Sequence, residues 1–123
     1  MKLTKNFSKA EFDSKDGTAM SLEVLQNVQR LAENLQKIRD KVDVPITILS
    51  GYRSPKHNRI VGGKPRSFHL TGMAADISCP QIKPAQLALV IKDMMDAGEI
   101  EKGGLKVYNS FVHYDIRGIH VTW

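Results

Sequence analysis

The end of the chain limits the possible fold more than any other part of the sequence. Two short turns, Asn109-Ser110 and Arg117-Gly118, divide it into strand-like runs over residues 105–108, 111–116 and 119–123. Strands joined by turns this short must pair antiparallel, because a parallel pair needs a crossover of about a dozen residues or more. Two earlier runs, 46–50 and 73–78, have the β-branched or alternating pattern of further strands. The sequence therefore predicts a small, mostly antiparallel sheet.

Two amphipathic helices are predicted to pack on one face of this sheet. Between Leu22 and Val42 apolar residues recur at steps of three and four, which places them on one stripe of a long helix. A second helix is predicted over 84–97, because Pro84 suits a helix start and Gly98 a helix end. Segment 51–72 is rich in Gly and Pro and is predicted as a long loop. The fold class that follows is α+β.

Length and composition limit the kind of protein further. The 123 residues fit one domain over 1–123, and the single Cys79 excludes an internal disulfide or a metal cluster held by cysteines alone. No stretch approaches the ~18 apolar residues of a membrane-spanning helix, and the N-terminus lacks the apolar run of a secretory signal. We expect a monomer that is made in the cytoplasm and does not insert into a membrane.

Histidine and aspartate residues near two predicted strands form a candidate metal site. His69 precedes the run 73–78, in which Asp76 shares a face with Ala74 and Ser78. In the run 111–116, alternation places His113 and Asp115 on one face. Two imidazoles and one carboxylate, here His69, Asp76 and His113, are a typical three-ligand set of a catalytic zinc site with one position open for water.

The same carboxylates also have simpler interpretations. Asp76 could be a buried carboxylate that pairs with Arg53 or Arg117, because an unpaired buried carboxylate is costly. Asp115 could form a cross-strand ion pair, or it could support a metal ligand or transfer a proton. Spacing alone does not decide between these alternatives.

Three segments together resemble the M15 zinc peptidases. They are SGYRS at 50–54, SFHLTGMAAD at 67–76 and FVHYDIRG at 111–118. The second segment fills every position of the family pattern S-x-H-x-x-G-x-A-x-D, from Ser67 to Asp76. The family includes D-Ala-D-Ala carboxypeptidases and phage endolysin peptidases, and it shares a fold with the hedgehog signalling domain. The resemblance covers roughly residues 7–123.

The resemblance implies a function and a role for each matching residue. His69, Asp76 and His113 match the ligands of one zinc ion per chain. Arg53 matches the arginine that holds substrate or stabilises the oxyanion, and Ser67 is expected to line the substrate site and support the metal loop. The implied activity is hydrolysis of peptide bonds in peptidoglycan stem peptides by a metal-activated water, either as a carboxypeptidase or as an endolysin-type endopeptidase. The implied place of action is the bacterial cell wall, in a phage or prophage setting.

The chain departs from the family pattern at one position. Many members carry a catalytic Glu or Asp three residues before the last zinc histidine, and this chain has Ser110 there. Asp115 is then the predicted catalytic carboxylate. An alignment with relatives that have an H-x-H pair would instead make Asp115 the ligand and His113 the catalytic group. A zinc-containing binding module of the same fold, without catalysis, is the alternative function.

The segment 51–66 is basic. Its five basic residues equal the whole net charge of +5, and no acidic residue lies among them. Beside a peptidase site they could attract the carboxylate-rich stem peptides of peptidoglycan. Interleaved aromatic residues and nucleic-acid-binding motifs are missing, so no nucleic-acid partner is expected.

The remaining distinctive side chains are predicted to be structural. His57 and His120 are expected at the surface, and Trp123 is expected to pack the last strand. The predicted core includes Tyr114, Met94, Met95 and Cys79.

Overall fold

The computed structural model describes all 123 residues and has an α+β architecture. Helices α1, α2 and α3 span Leu22–Val42, Pro55–Ile60 and Pro84–Asp96, and short 3₁₀ turns cover Lys9–Phe12 and Phe68–Thr71. Strands β1 to β4 span Thr47–Ser50, Ala74–Ser78, Leu105–Val107 and Val112–Asp115. They form one sheet in the order β1-β2-β4-β3, and every neighbouring pair is antiparallel. This confirms the predicted fold class.

The long helix α1 follows from its apolar stripe and its ends. The Ser21 hydroxyl accepts a hydrogen bond from the Val24 amide at 3.1 Å and caps the first turn. The helix ends at Val42, and the residue that caps it, Asp43, has a φ of 55° in the left-handed region. The stripe is buried through Val28, Leu31, Ala32, Leu35 and Ile38. Burial of each large apolar side chain contributes about 1.5–3 kcal/mol.

The sheet has two chemically different faces. Strand register places Ala75 opposite Tyr114 and Ile77 opposite Val112, and all four belong to the apolar core with α1 and α3. On the other face, register places Ala74 opposite Asp115 and Asp76 opposite His113. The period of two therefore separates core residues from candidate site residues along each strand. Tyr114, Met94, Met95 and Cys79 lie in the core as predicted.

Two parts of the sequence prediction are wrong. Segment 51–72 is not one long loop, because it contains α2 and the turn Phe68–Thr71. Helix α2 has six residues, too few for a helical period to show, and it depends on its Ser54 cap and Pro55. Residues 119–123 do not form a strand; their pairing is one parallel bridge between Gly104 and Val121. None of the helices combines the length and apolar character needed to cross a membrane.

Candidate metal centre

Three side chains converge on the polar face of the sheet. His69, Asp76 and His113 each offer one ligand atom, and these atoms lie within 4.8 Å of one another. Oδ1 of Asp76 lies 3.3 Å from Nε2 of His69 and 3.2 Å from Nδ1 of His113. All three side chains are buried. The structure thus brings together the residues that the sequence predicts as metal ligands.

A short turn fixes the orientation of His69. The Ser67 hydroxyl accepts a hydrogen bond from the His69 amide at 3.1 Å, and Gly72 ends the turn with a φ of 76°. Nδ1 of His69 lies 2.7 Å from the carbonyl oxygen of Gly51, to which it donates. Nδ1 therefore carries a proton, and Nε2 faces Asp76, where it donates a hydrogen bond when it is protonated and is free to bind a metal ion when it is not. This is how proteins commonly orient a metal-binding histidine.

Asp115 orients His113 in the same way from the other side. Its Oδ2 lies 2.8 Å from Nε2 of His113, which leaves Nδ1 to face Asp76. Asp115 is fully buried and also accepts two hydrogen bonds from the Arg117 guanidinium, at 2.9 and 2.7 Å. The Gly104 amide donates to it at 2.8 Å. A side chain at Gly104 would collide with the carboxylate, so the backbone can approach this closely only at glycine.

Hydrogen bonds and neighbouring charges keep the carboxylates of Asp76 and Asp115 ionised. Burial would raise the pKa of Asp76, but hydrogen bonds from His113 and His69 outweigh burial and hold this pKa well below its usual range. The pKa of Asp115 is lowered in the same way, by His113, Arg117 and the Gly104 amide against burial. Burial would lower the pKa of His113, but Asp115 and Asp76 raise it above its ordinary value.

The guanidinium of Arg53 contacts the carboxylate of Asp76. Its Nη2 donates to Oδ2 of Asp76 at 3.1 Å, Nε donates to Ser50 at 3.1 Å, and Nη1 lies 3.4 Å from Oδ1 of Asn58. The simpler interpretation of Asp76, an ion pair with Arg53, is therefore also correct. A guanidinium has five N–H donors, so two of them remain for another partner.

Residues that the sequence analysis did not single out hold the Arg53 segment in place. The Ser54 amide donates to the Ser14 hydroxyl at 3.1 Å, and the Ser54 hydroxyl donates to Asp16. Hydrogen bonds from the Ser54 and Ser14 hydroxyls and from Thr18 hold the pKa of Asp16 well below its usual range. Asn58 is buried and donates to the Lys64 carbonyl at 2.9 Å. No sequence signal marked these contacts, because each joins irregular segments through single polar side chains.

A cleft of about 560 Å³ opens beside the cluster. Its aromatic lining includes Tyr108 and Phe111, whose rings stack at 4.5 Å, and Trp123, whose ring centroid lies 5.1 Å from that of His113. Trp123 is 43% exposed, so it lines the cleft instead of packing a last strand. His57 lies outside the cleft lining, as does His120, which is exposed as predicted.

The donor set fits a zinc ion. Two imidazole nitrogens and one carboxylate oxygen are ligands that zinc accepts, and both imidazoles have their second nitrogen fixed by a hydrogen bond. With a cleft beside them, the three residues leave room for a water molecule or a substrate atom at a fourth position. The fold and the site together therefore form a candidate metal centre of histidine and aspartate on the polar face of a small antiparallel sheet.

A comparison with models of protein families identifies the family of the chain. A sequence model described as peptidase M15 matches residues 5–115, and the chain belongs to this family. Among solved structures it is similar to the L-Ala D-Glu endopeptidase ChiX of Serratia marcescens, with 22% sequence identity and a TM-score of 0.48. That similarity covers 79% of this chain and 88% of the other. No curated protein matches the chain.

Proposed function

We propose that this protein is a zinc-dependent peptidase that hydrolyses peptide bonds in peptidoglycan stem peptides. Membership of the peptidase M15 family supports the peptidase activity. The observation that carries the metal dependence is the convergence of His69, Asp76 and His113 within 4.8 Å. The cleft beside them gives a peptide access to this position.

His69, Asp76 and His113 would hold the zinc ion through Nε2, a carboxylate oxygen and Nδ1. When bound, zinc lowers the pKa of a coordinated water towards ~7 and polarises the scissile carbonyl. Arg53 orients Asp76 and has two N–H donors left for the substrate carbonyl oxygen or the oxyanion. Ser67 supports the turn that carries His69 and also lines the cleft.

Asp115 is the predicted catalytic carboxylate, and its position supports a positioning role. Both of its oxygens already accept hydrogen bonds, and it lies behind His113 when seen from Asp76. We assign it the task of holding His113 in the tautomer whose Nδ1 can bind metal. An acid or base that exchanges protons with substrate must reach the reacting atoms, and a fully buried carboxylate outside the cleft lining does not.

The first experiment measures zinc content and cleavage in the same preparations. The wild type is expected to hold about one zinc per chain and to cleave the synthetic peptide L-Ala-γ-D-Glu-L-Lys-D-Ala-D-Ala, whereas His69→Ala should lose both properties. Product masses identify the bond: release of one D-Ala indicates a carboxypeptidase, and an internal cut an endopeptidase. His120→Ala is the matched control, because this exposed histidine lies outside the cleft lining. Wild type that neither retains nor takes up zinc contradicts the proposal.

A zinc-containing binding module without catalysis is the second candidate, and one observation favours it. Asp76 is the only acidic residue that lines the cleft, and Ser110 stands where many relatives carry a catalytic carboxylate. Full zinc occupancy with no cleavage of intact peptidoglycan or of the peptide would favour this candidate over the peptidase.

A further inference from the structure

The cleft carries more positive charge than its own acidic residues neutralise. Four basic side chains line it, and two of them are paired: Arg53 with Asp76 at 3.1 Å and Arg117 with Asp115 at 2.7 Å. Neither of the other two, Lys64 and Arg66, forms an ion pair or a side-chain hydrogen bond within the chain. A divalent ion at the metal centre would add to this positive charge. The cleft is therefore complementary to an anionic ligand.

The backbone that carries these two cations is fixed to the site. The buried Asn58 donates to the Lys64 carbonyl at 2.9 Å, and its own carbonyl accepts from the Gly63 amide at 2.8 Å. The Ser67 amide donates to the Lys64 carbonyl at 3.0 Å, just before the turn that carries His69. Pro65, between the two cations, fixes one backbone dihedral angle. A fixed backbone reduces the entropy lost when the cations bind a ligand.

Two other basic residues of the segment 51–66 lie away from the cleft. Lys56 and Arg59 lie on α2, are exposed, and do not line the cleft. Apart from Arg53, which lines the cleft and is paired with Asp76, the basic segment recognised in the sequence therefore divides into one pair that lines the cleft and one pair that does not. Overall attraction of anions would involve both pairs, but a binding site would involve only the first.

We propose that Lys64 and Arg66 form a carboxylate-binding subsite of the cleft. This rests on the proposed function, since the ligand is a peptide that carries a free carboxylate near the bond that is cut. In a stem peptide with L-Lys at its third position the carboxylate has two sources: the α-carboxylate of the γ-linked D-Glu, or the C-terminal carboxylate. Amidation of the carboxylate that is bound removes its charge and weakens binding at this subsite.

Four synthetic peptides separate the two sources. They share the sequence L-Ala-γ-D-Glu-L-Lys-D-Ala-D-Ala and differ by amidation at the D-Glu α-carboxylate, at the C-terminus, at both or at neither. Calorimetry gives the dissociation constant of each peptide for the metal-free protein, so that binding is measured without turnover. The double variant Lys64→Ala/Arg66→Ala is compared with the wild type and with Lys56→Ala/Arg59→Ala, which removes the same charge away from the cleft.

In the wild type we expect amidation at one of the two positions to weaken binding about tenfold, or ~1.4 kcal/mol. This effect should disappear in Lys64→Ala/Arg66→Ala and remain in Lys56→Ala/Arg59→Ala. It should also shrink between about 20 and 200 mM salt, since exposed charges are screened. An equal effect in both double variants, no effect of amidation in the wild type, or no binding of any peptide would overturn the subsite. The proposed function fails separately, if zinc-loaded protein binds these peptides and cleaves none.

Discussion

The substitution Asp115→Asn distinguishes a positioning role from a proton-transfer role. The new amide cannot satisfy all donors that now point at the carboxylate, which include the Gly104 amide, two guanidinium nitrogens of Arg117 and Nε2 of His113. His113 then loses the acceptor that keeps the proton on Nε2, and its Nδ1 is protonated more often. Loss of such a supporting carboxylate costs about 10–100-fold in metal affinity. This corresponds to about 1.4–2.7 kcal/mol.

The same substitution is expected to destabilise the fold. It leaves the partly buried Arg117 without its charged partner, and breaking a buried pair by removal of one member costs about 3–5 kcal/mol. Because Asp115 keeps a polar side chain of similar shape in the variant, we expect the lower end of this range. A domain with a stability of about 5–15 kcal/mol remains folded after such a loss.

Zinc affinity is measured by competition with a chromogenic chelator, and the free energy of unfolding by urea denaturation of metal-free protein. The exposed Asp93→Asn is the control. If Asp115 only positions His113, the rate of cleavage by Asp115→Asn should recover towards the wild-type rate when zinc is saturating. Unchanged zinc affinity together with a lost rate at saturating zinc would refute our reasoning and make Asp115 the proton carrier.

Four further outcomes are expected. Gly104→Ala should weaken zinc binding as Asp115→Asn does, because its methyl group displaces the carboxylate, and unchanged affinity in the chelator competition would contradict this. Ser54→Ala should lower the free energy of unfolding by about 1 kcal/mol through loss of the α2 cap and of the bond to Asp16, as read from urea denaturation with Ser110→Ala as control. Zinc affinity should fall as the pH falls, beginning above pH 6.5, because the pKa of His113 in metal-free protein is raised and protons compete with the metal; titrations that show constant affinity from pH 8 to about 6 would be inconsistent with this. Removal of metal by a chelator should leave the far-ultraviolet circular dichroism unchanged, since a core of 22 buried residues lies apart from the ligands, and loss of helix signal would show that metal is needed for folding.

Alternation along two strands made the centre of the site predictable from sequence. A period of two assigns Asp76 and His113 to the polar face, and their strands are neighbours in the sheet with these residues directly opposite. The stripe of α1 was predictable for a similar reason, since its helical period continues over the whole element. Regular elements repeat their signal, so each additional residue supports the same interpretation.

The parts of the site that escaped prediction lie in irregular segments. The bond between His69 and the Gly51 carbonyl joins residues 18 positions apart, and neither position belongs to a periodic pattern. Asn58 lies in a helix of only six residues, and its side chain accepts a hydrogen bond from Arg53 and donates one to the Lys64 carbonyl. Trp123 reaches His113 because the last residues turn back beside the cleft instead of continuing the sheet. Such contacts depend on tertiary placement, which local sequence does not encode.

The division of the sheet into two faces also separates the energetics of folding from those of the site. On the core face Ile77 and Tyr114 bury apolar surface against the helices, whereas on the other face Asp76 and Asp115 need charged partners. A buried ion pair contributes little net stability, because desolvation offsets the attraction between the charges. The acidic and basic residues of the site are thus better explained by the orientation they impose on His69 and His113 than by a contribution to folding. A substitution such as Asp115→Asn removes only one member of such a pair, so it should lower both the metal affinity and the free energy of unfolding, while the apolar core keeps the sheet and its helices in place.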